Sequence, residues 1–288
     1  MPRAVRDLPV GVFDSGVGGL TVLAALRARL PRENYLYLGD TARLPYGTKT
    51  AGTVERYALQ AVEALVARGV KAVVVACNTA SAAALPALRE RFADLPVIGV
   101  IEPGAAAASA ASRSGRIAVI ATESTVRGGA YQRAIAALRP QAHVNAVAAG
   151  LFVALAEEGW LRGSIVEAVA QRYLEPLFAD AREAPDTLVL GCTHFPPLLE
   201  AIRRVVGAEV AIVDSADTTA RALQERLIAD ALLRGTSADG GTQFFVTDGV
   251  ERFLRTGPVF LGAPIDAQAV GRLDLQWSTA EKPQAGNS

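Results

Sequence analysis

The chain has 288 residues, 51% of them hydrophobic and 20% charged, and its 29 basic residues balance 29 acidic ones. That length suits two units of about 100 to 150 residues each, and the neutral balance argues against nucleic acid or an anionic membrane as a partner. No apolar run approaches the roughly 20 residues that span a bilayer, and the opening "MPRAVRDLPVGVFD" lacks the apolar middle of a signal peptide, so a cytoplasmic protein is expected.

In chain order, short β-rich apolar runs alternate with longer amphipathic stretches. Strands are expected at 10–13 (VGVF), 35–39 (YLYLG), 71–76 (KAVVVA), 96–101, 116–121, 143–148, 187–191, 210–213 and 243–247. Helices are expected at 20–29, 53–68, 80–92, 124–138, 164–180, 197–206 and 216–233. Within 53–68, Val54, Ala58, Ala61, Leu65 and Val66 fall close to a 3.6-residue spacing and predict one buried stripe. Strand, helix, strand is the grammar of an α/β fold with parallel sheets.

A weak internal repeat divides the chain. "FDSGVGG" is followed by "ACNTAS" in the first half, and "ATEST" by "GCTHFP" in the second, each segment directly after an expected strand. Because ligands of open α/β sheets sit at the carboxyl ends of strands, two facing doubly wound domains would bring all four segments to one cleft. The expected division is 1–102 plus 210–275 for the first domain and 103–209 for the second. The boundary falls near Pro103, and strand 210–213 with its helix completes the first sheet. The polar, proline-containing stretch 276–288 is expected to be disordered.

Cys77 and Cys192 are the chain's two cysteines. Cys77 lies at a strand-to-helix turn, where a helix N-terminus stabilises a thiolate. Cys192 repeats the arrangement, with Thr193 and His194 next and Pro196-Pro197 suited to a first helical turn. Either alone reads sooner as a buried core cysteine; the paired context points to chemistry. A cysteine phosphatase needs an arginine in its loop, and the positions six residues on are Ala83 and Leu198. Zinc held by Cys77, Cys192, His194 and Asp14 is a rival, although a C-x-H pair is not a usual zinc spacing.

Asp14 and Ser15 end the first strand before Gly16, Gly18 and Gly19. A carboxylate beside a thiol orients it and shuttles its proton, while a glycine turn offers amides to an anion. The alternative is an Asp-Ser cap for helix 20–29. His194 is the corresponding proton partner in the second half, or else a core residue; His143, without acidic or thiol neighbours in sequence, reads as structural. The loop 39–50 supplies Tyr46 and Gly47 as substrate contacts or forms a solvated connector. Thr79, Thr122, Thr125 and Thr193 suit a carboxylate or ammonium group, or cap helices. Glu157-Glu158 ends a helix, as a functional pair or a solvated face.

Two thiols across a cleft suit inversion of a carbon centre, since a proton must leave one face and another arrive on the opposite face. Pyridoxal phosphate would need a Schiff-base lysine, and Lys49, Lys71 and Lys282 are poorly placed, so no cofactor and no metal are expected.

"FDSGVGG", "GDTARLPYG", "ACNTAS", "VIGVIEPG", "LVLGCTHFP" and "VDSA", in this order between about residues 9 and 262, resemble the glutamate racemases of the aspartate/glutamate racemase family. The resemblance implies two pseudo-symmetric α/β domains and an isomerase that interconverts L- and D-glutamate without a cofactor, supplying D-glutamate for peptidoglycan. It implies that Cys77 and Cys192 are the catalytic proton donors and acceptors, for the D- and L-enantiomer respectively, assisted by Asp14, Glu157 and His194. Ser15, Tyr46, Gly47, Asn78, Thr79, Thr122, Thr125 and Thr193 match substrate contacts, and a homodimer is expected. The family's "PLFVPLVE" reads "GLFVALAE" here, and "CTHYPLL" reads "CTHFPPLL". A zinc-dependent hydrolase of small carboxylates and a non-catalytic amino-acid binding protein stand as alternatives of other classes.

Overall fold

The apolar runs assemble into two parallel sheets. The computed structural model describes residues 5–275, so the disorder expected for 276–288 falls outside the described residues. The chain begins with β1 (Val10–Asp14), α1 (Leu20–Arg29), β2 (Tyr35–Gly39), α2 (Ala51–Val66), β3 (Ala72–Val75), α3 (Asn78–Arg91) and β4 (Val97–Gly99). There follow α4 (Ile101–Ala111), β5 (Arg116–Ala121), α5 (Glu123–Gly128), α6 (Ala130–Leu138) and β6 (His143–Ala148). Next come α7 (Leu151–Glu157), α8 (Ser164–Phe178), β7 (Thr187–Gly191), α9 (Leu199–Val206) and β8 (Ala211–Asp214). The described chain ends with α10 (Ser215–Ala229), β9 (Thr242–Val246), α11 (Val250–Leu261) and β10 (Val270–Arg272).

The first sheet has the order β10-β9-β2-β1-β3-β4 and the second β6-β5-β7-β8. Every pairing is parallel. Helices cover both faces of the central strands, which is why β1, β3 and β7 are buried along their whole length and read as continuous apolar runs. Winding reverses between β1 and β3 in the first sheet and between β5 and β7 in the second. Each reversal parts the following loops and opens a crevice at the carboxyl edge.

Strand 210–213 was expected in the first sheet, and the structure corrects this. β8 pairs with β7, from Thr187 opposite Ala211 to Leu190 opposite Asp214. The physical reason is the short link Gly207–Val210 after α9, which packs on α8 and returns the chain only to a neighbouring strand. The chain crosses back one step later, because α10 packs on α1 of the first lobe and on α4.

Two helices, α4 and α11, were not foreseen. Both contain glycine and proline, Pro103-Gly104 and Gly257-Pro258, which read as breakers. Pro103 is the third residue of its helix, where its missing N–H is one that would have no intrahelical partner anyway. Conversely, the single helix expected at 124–138 is two, separated by Gly129 in the left-handed region at φ 61°. In α2 the buried stripe is Val54, Ala58, Ala61, Val62 and Leu65, with Val66 only partly covered.

At the amino edge of the first sheet, Lys71 Nζ donates to Glu33 Oε2, to Arg6 O at 2.7 Å and to Leu232 O at 2.9 Å. Glu33 Oε1 accepts from Arg234 N at 2.8 Å. This buried pair anchors the segment after α10 beneath the sheet, away from the edge that carries Cys77. Among the described residues, no helix is long and apolar enough to cross a membrane.

Candidate active site

The four segments singled out by the internal repeat follow β1, β3, β5 and β7, the strands that flank the two reversals. Their loops meet across the cleft. Gly18 shows how closely: a Cβ there would lie 2.4 Å from both His194 Nδ1 and Thr193 Oγ1 of the opposite lobe. Only a residue without a side chain allows this approach. Gly47 repeats the requirement, since its Cβ would sit 2.7 Å from Thr122 Cβ.

Asp14 does not cap α1, whose N-cap is Gly19 without a side-chain bond. Its Oδ2 accepts from Gly16 N at 2.8 Å, whereas its buried Oδ1 has no partner. Burial pushes the Asp14 carboxyl above the usual carboxylate range, with the His194 charge and the amides of Gly19, Gly16 and Ser15 pulling the other way.

Cys77 is the N-cap of α3. Its sulfur accepts from Ala80 N at 3.5 Å and lies 3.4 Å from Ser15 Oγ, to which it donates. Burial pushes the thiol up to about 12, helped by the Asp14 charge and opposed by Ser15 and the Ala80 amide. The helix terminus expected to favour the thiolate is thus outweighed by desolvation. The Cys192 charge raises Cys77 further, so the two sulfurs feel one another across the cleft.

Cys192 departs from the predicted helix-end setting. After it comes a short 3-10 turn, Pro196–Leu198, and α9 starts only at Leu199. Its sulfur instead faces His194 Nδ1 at 3.8 Å. His194 Nε2 lies 3.0 Å from Glu157 Oε1, and Glu157 Oε2 accepts from Arg252 at 2.8 Å. Burial would lower the imidazole, but the bonds to Cys192 and Glu157 outweigh it and raise His194 to about 10. Burial also pushes the Glu157 carboxyl up, and His194 with Arg252 outweigh that and bring it down. An imidazolium N–H is thereby held against the Cys192 sulfur. Glu157, not the exposed Glu158, makes these bonds.

Thr79 of the first lobe and Thr122 and Thr125 of the second bring their hydroxyls within 2.9 to 3.2 Å of one another. Thr193 is buried beside Gly18, and its carbonyl lies 3.2 Å from Thr21 Oγ1. The Tyr46 hydroxyl, expected to face a substrate, donates to buried Asp40 Oδ2. Asp40 also accepts from Arg43 Nε at 2.7 Å and Thr247 Oγ1 at 2.9 Å, which fixes the loop and leaves Gly47 at the cleft. His143 is exposed on edge strand β6, and Lys282 lies outside the described residues.

The residues weighed as zinc ligands belong to different lobes. Among the described residues, no group of three or more His, Cys, Asp and Glu side chains is gathered to hold a metal ion. Sequence reasoning missed Asp40, Arg252, Tyr131 and Ser215. Asp40 lay inside the quoted loop motif, whereas Arg252 stands on a helix that its proline had concealed.

Comparison with known proteins identifies the family. The family model for Asp/Glu/hydantoin racemases matches residues 21–223. The chain is 51% identical to the glutamate racemase of Geobacter metallireducens over 257 residues, 89% of this chain and 93% of that protein. It superposes on glutamate racemase from Francisella tularensis in complex with D-glutamate with a TM-score of 0.87 and 35% identity, covering 94% of this chain and 98% of the other. With glutamate racemase from Thermus thermophilus in complex with β-chloro-D-alanine the TM-score is 0.82 and the identity 44%, at the same coverage. Similarity of this extent, running through both lobes and the loops between them, establishes that the chain belongs to the Asp/Glu/hydantoin racemase family.

Proposed function

We propose that this protein racemises glutamate by a two-base mechanism that uses Cys77 and Cys192 and no cofactor. The observation that carries the reading is the placement of the two cysteines. Each follows a strand at a winding reversal, on its own side of one cleft; Cys77 donates to Ser15 and feels the Asp14 charge, and Cys192 faces His194. The names of the relatives supply the substrate.

From D-glutamate, the Cys77 thiolate takes the α-proton, and the Cys192 thiol delivers a proton to the opposite face of the carbon. From L-glutamate the roles exchange. Each turnover leaves one sulfur protonated and the other not, so a proton must pass between the sites and solvent before the next. His194 recharges or relieves Cys192, and Asp14 does the same for Cys77. The unpartnered Asp14 Oδ1 accepts from the substrate ammonium. That positive charge also offsets the desolvation that raises the Cys77 thiol. The amides of the glycine turn, Gly47 and the hydroxyls of Ser15, Thr79, Thr122, Thr125 and Thr193 hold the carboxylates without adding net charge.

D-glutamate made in this way serves peptidoglycan synthesis in the cytoplasm, and a homodimer is the assembly we propose. The test is exchange in heavy water. Purified protein should replace the α-hydrogen of glutamate, but not of aspartate, with deuterium, and Cys77→Ser or Cys192→Ser should abolish racemisation. Unchanged glutamate after prolonged incubation with the native protein would refute the reading.

A further inference from the structure

Asn78, directly after Cys77 at the start of α3, is 2% exposed. Its Oδ1 accepts from the Tyr131 hydroxyl at 2.7 Å and from Ser215 Oγ at 3.3 Å. Its Nδ2 is buried and has no partner. Both hydroxyls thus engage the amide oxygen, which leaves the N–H donor without a protein partner. A buried unpaired donor is costly, and at a ligand site the cost is relieved when the ligand accepts from it.

The two hydroxyls come from outside the Cys77 loop. Tyr131 stands on α6 of the second lobe, and Ser215 opens α10 where the chain crosses back. Ser215 Oγ is also 3.3 Å from Leu190 O, two residues before Cys192. The Tyr131 ring passes so close to that strand that a Cβ on Gly191 would meet it at 2.9 Å. Burial keeps the Tyr131 phenol protonated, so its O–H is available to donate to Asn78 Oδ1. The Ser215 hydroxyl, its one proton shared between Asn78 Oδ1 and Leu190 O, thus links the residue after Cys77 to the strand that carries Cys192.

We propose that Tyr131 and Ser215 are positioning residues that lock the Asn78 amide with Nδ2 toward a carboxylate oxygen of the bound amino acid. The inference rests on the reading of the cleft as the glutamate site. The bond to a carboxylate is already made in the bound ground state, so its loss raises KM.

The test is a double-mutant cycle on the full-length enzyme, with kcat and KM measured for both enantiomers. Tyr131→Phe, which keeps the ring and removes only the hydroxyl, should raise KM about five- to tenfold while kcat changes less than about threefold. In an Asn78→Ala background the same substitution should change nothing further, because Tyr131 acts through Asn78. An active parent with an unchanged KM in Tyr131→Phe overturns the inference, as does an equal KM increase in both backgrounds. Should Tyr131→Phe fail to fold, Ser215→Ala decides by the same cycle, with a smaller increase of about two- to fivefold expected from its longer bond. A parent that shows no glutamate exchange refutes the proposed function instead.

Discussion

Replacing Glu157 by glutamine tests the electrostatics of the second half-site. Glu157 holds His194 through a 3.0 Å bond and, with Cys192, raises the imidazole to about 10 against the downward pull of burial. Glutamine keeps the shape but removes the charge. A hydrogen bond to a charged group contributes about 1.5 to 3 kcal/mol, and at 1.36 kcal/mol per pKa unit its loss lowers the imidazole by about one to two units. The Arg252 guanidinium, 2.8 Å from Glu157, is then left uncompensated and pushes in the same direction. The imidazolium supports the Cys192 thiolate below its own pKa and is lost as pH rises through it. In Glu157→Gln the alkaline fall in kcat/KM for L-glutamate should therefore begin about one to two pH units lower than in the parent. Circular dichroism of the substrate gives the profile. Since the chain has 2 histidines, proton NMR titration can follow His194 directly, with His143 as the exposed reference. An alkaline limb and a His194 titration both unmoved by Glu157→Gln would refute the account of how this thiol is controlled.

Gly18→Ala places a methyl group where His194 Nδ1 and Thr193 Oγ1 stand at 2.4 Å, so the lobes must part. Activity should fall at least about tenfold, as a misplacement on the order of 1 Å costs about a hundredfold, while thermal unfolding shows the fold retained. Lys71→Met leaves Glu33 buried without its cation, and urea denaturation should report a loss of about 3 to 5 kcal/mol. Because this pair lies at the amino edge of the sheet, KM for glutamate should stay as in the parent wherever the protein remains folded.

The positions of β1 to β9, the parallel sheets and the strand ends bearing Asp14, Cys77, Thr122 and Cys192 were legible in the sequence, because burial on both faces writes continuous apolar runs and parallel crossovers place turns at one edge, whereas the short β10 was missed. The sheet joined by residues 211–214 was not legible, because pairing between distant strands leaves no local periodicity. Helices α4 and α11 were hidden because proline and glycine weigh against a helix locally, while packing against the sheets supplies what local preference lacks. Nor did the chain order reveal that desolvation overrides the helix end at Cys77, that Arg252 reaches Glu157 across the cleft, or that Tyr131 and Ser215 take hold of Asn78. Burial, charge separation and hydrogen-bond partners are properties of distances between remote residues, and those distances exist only once both lobes have closed around the cleft.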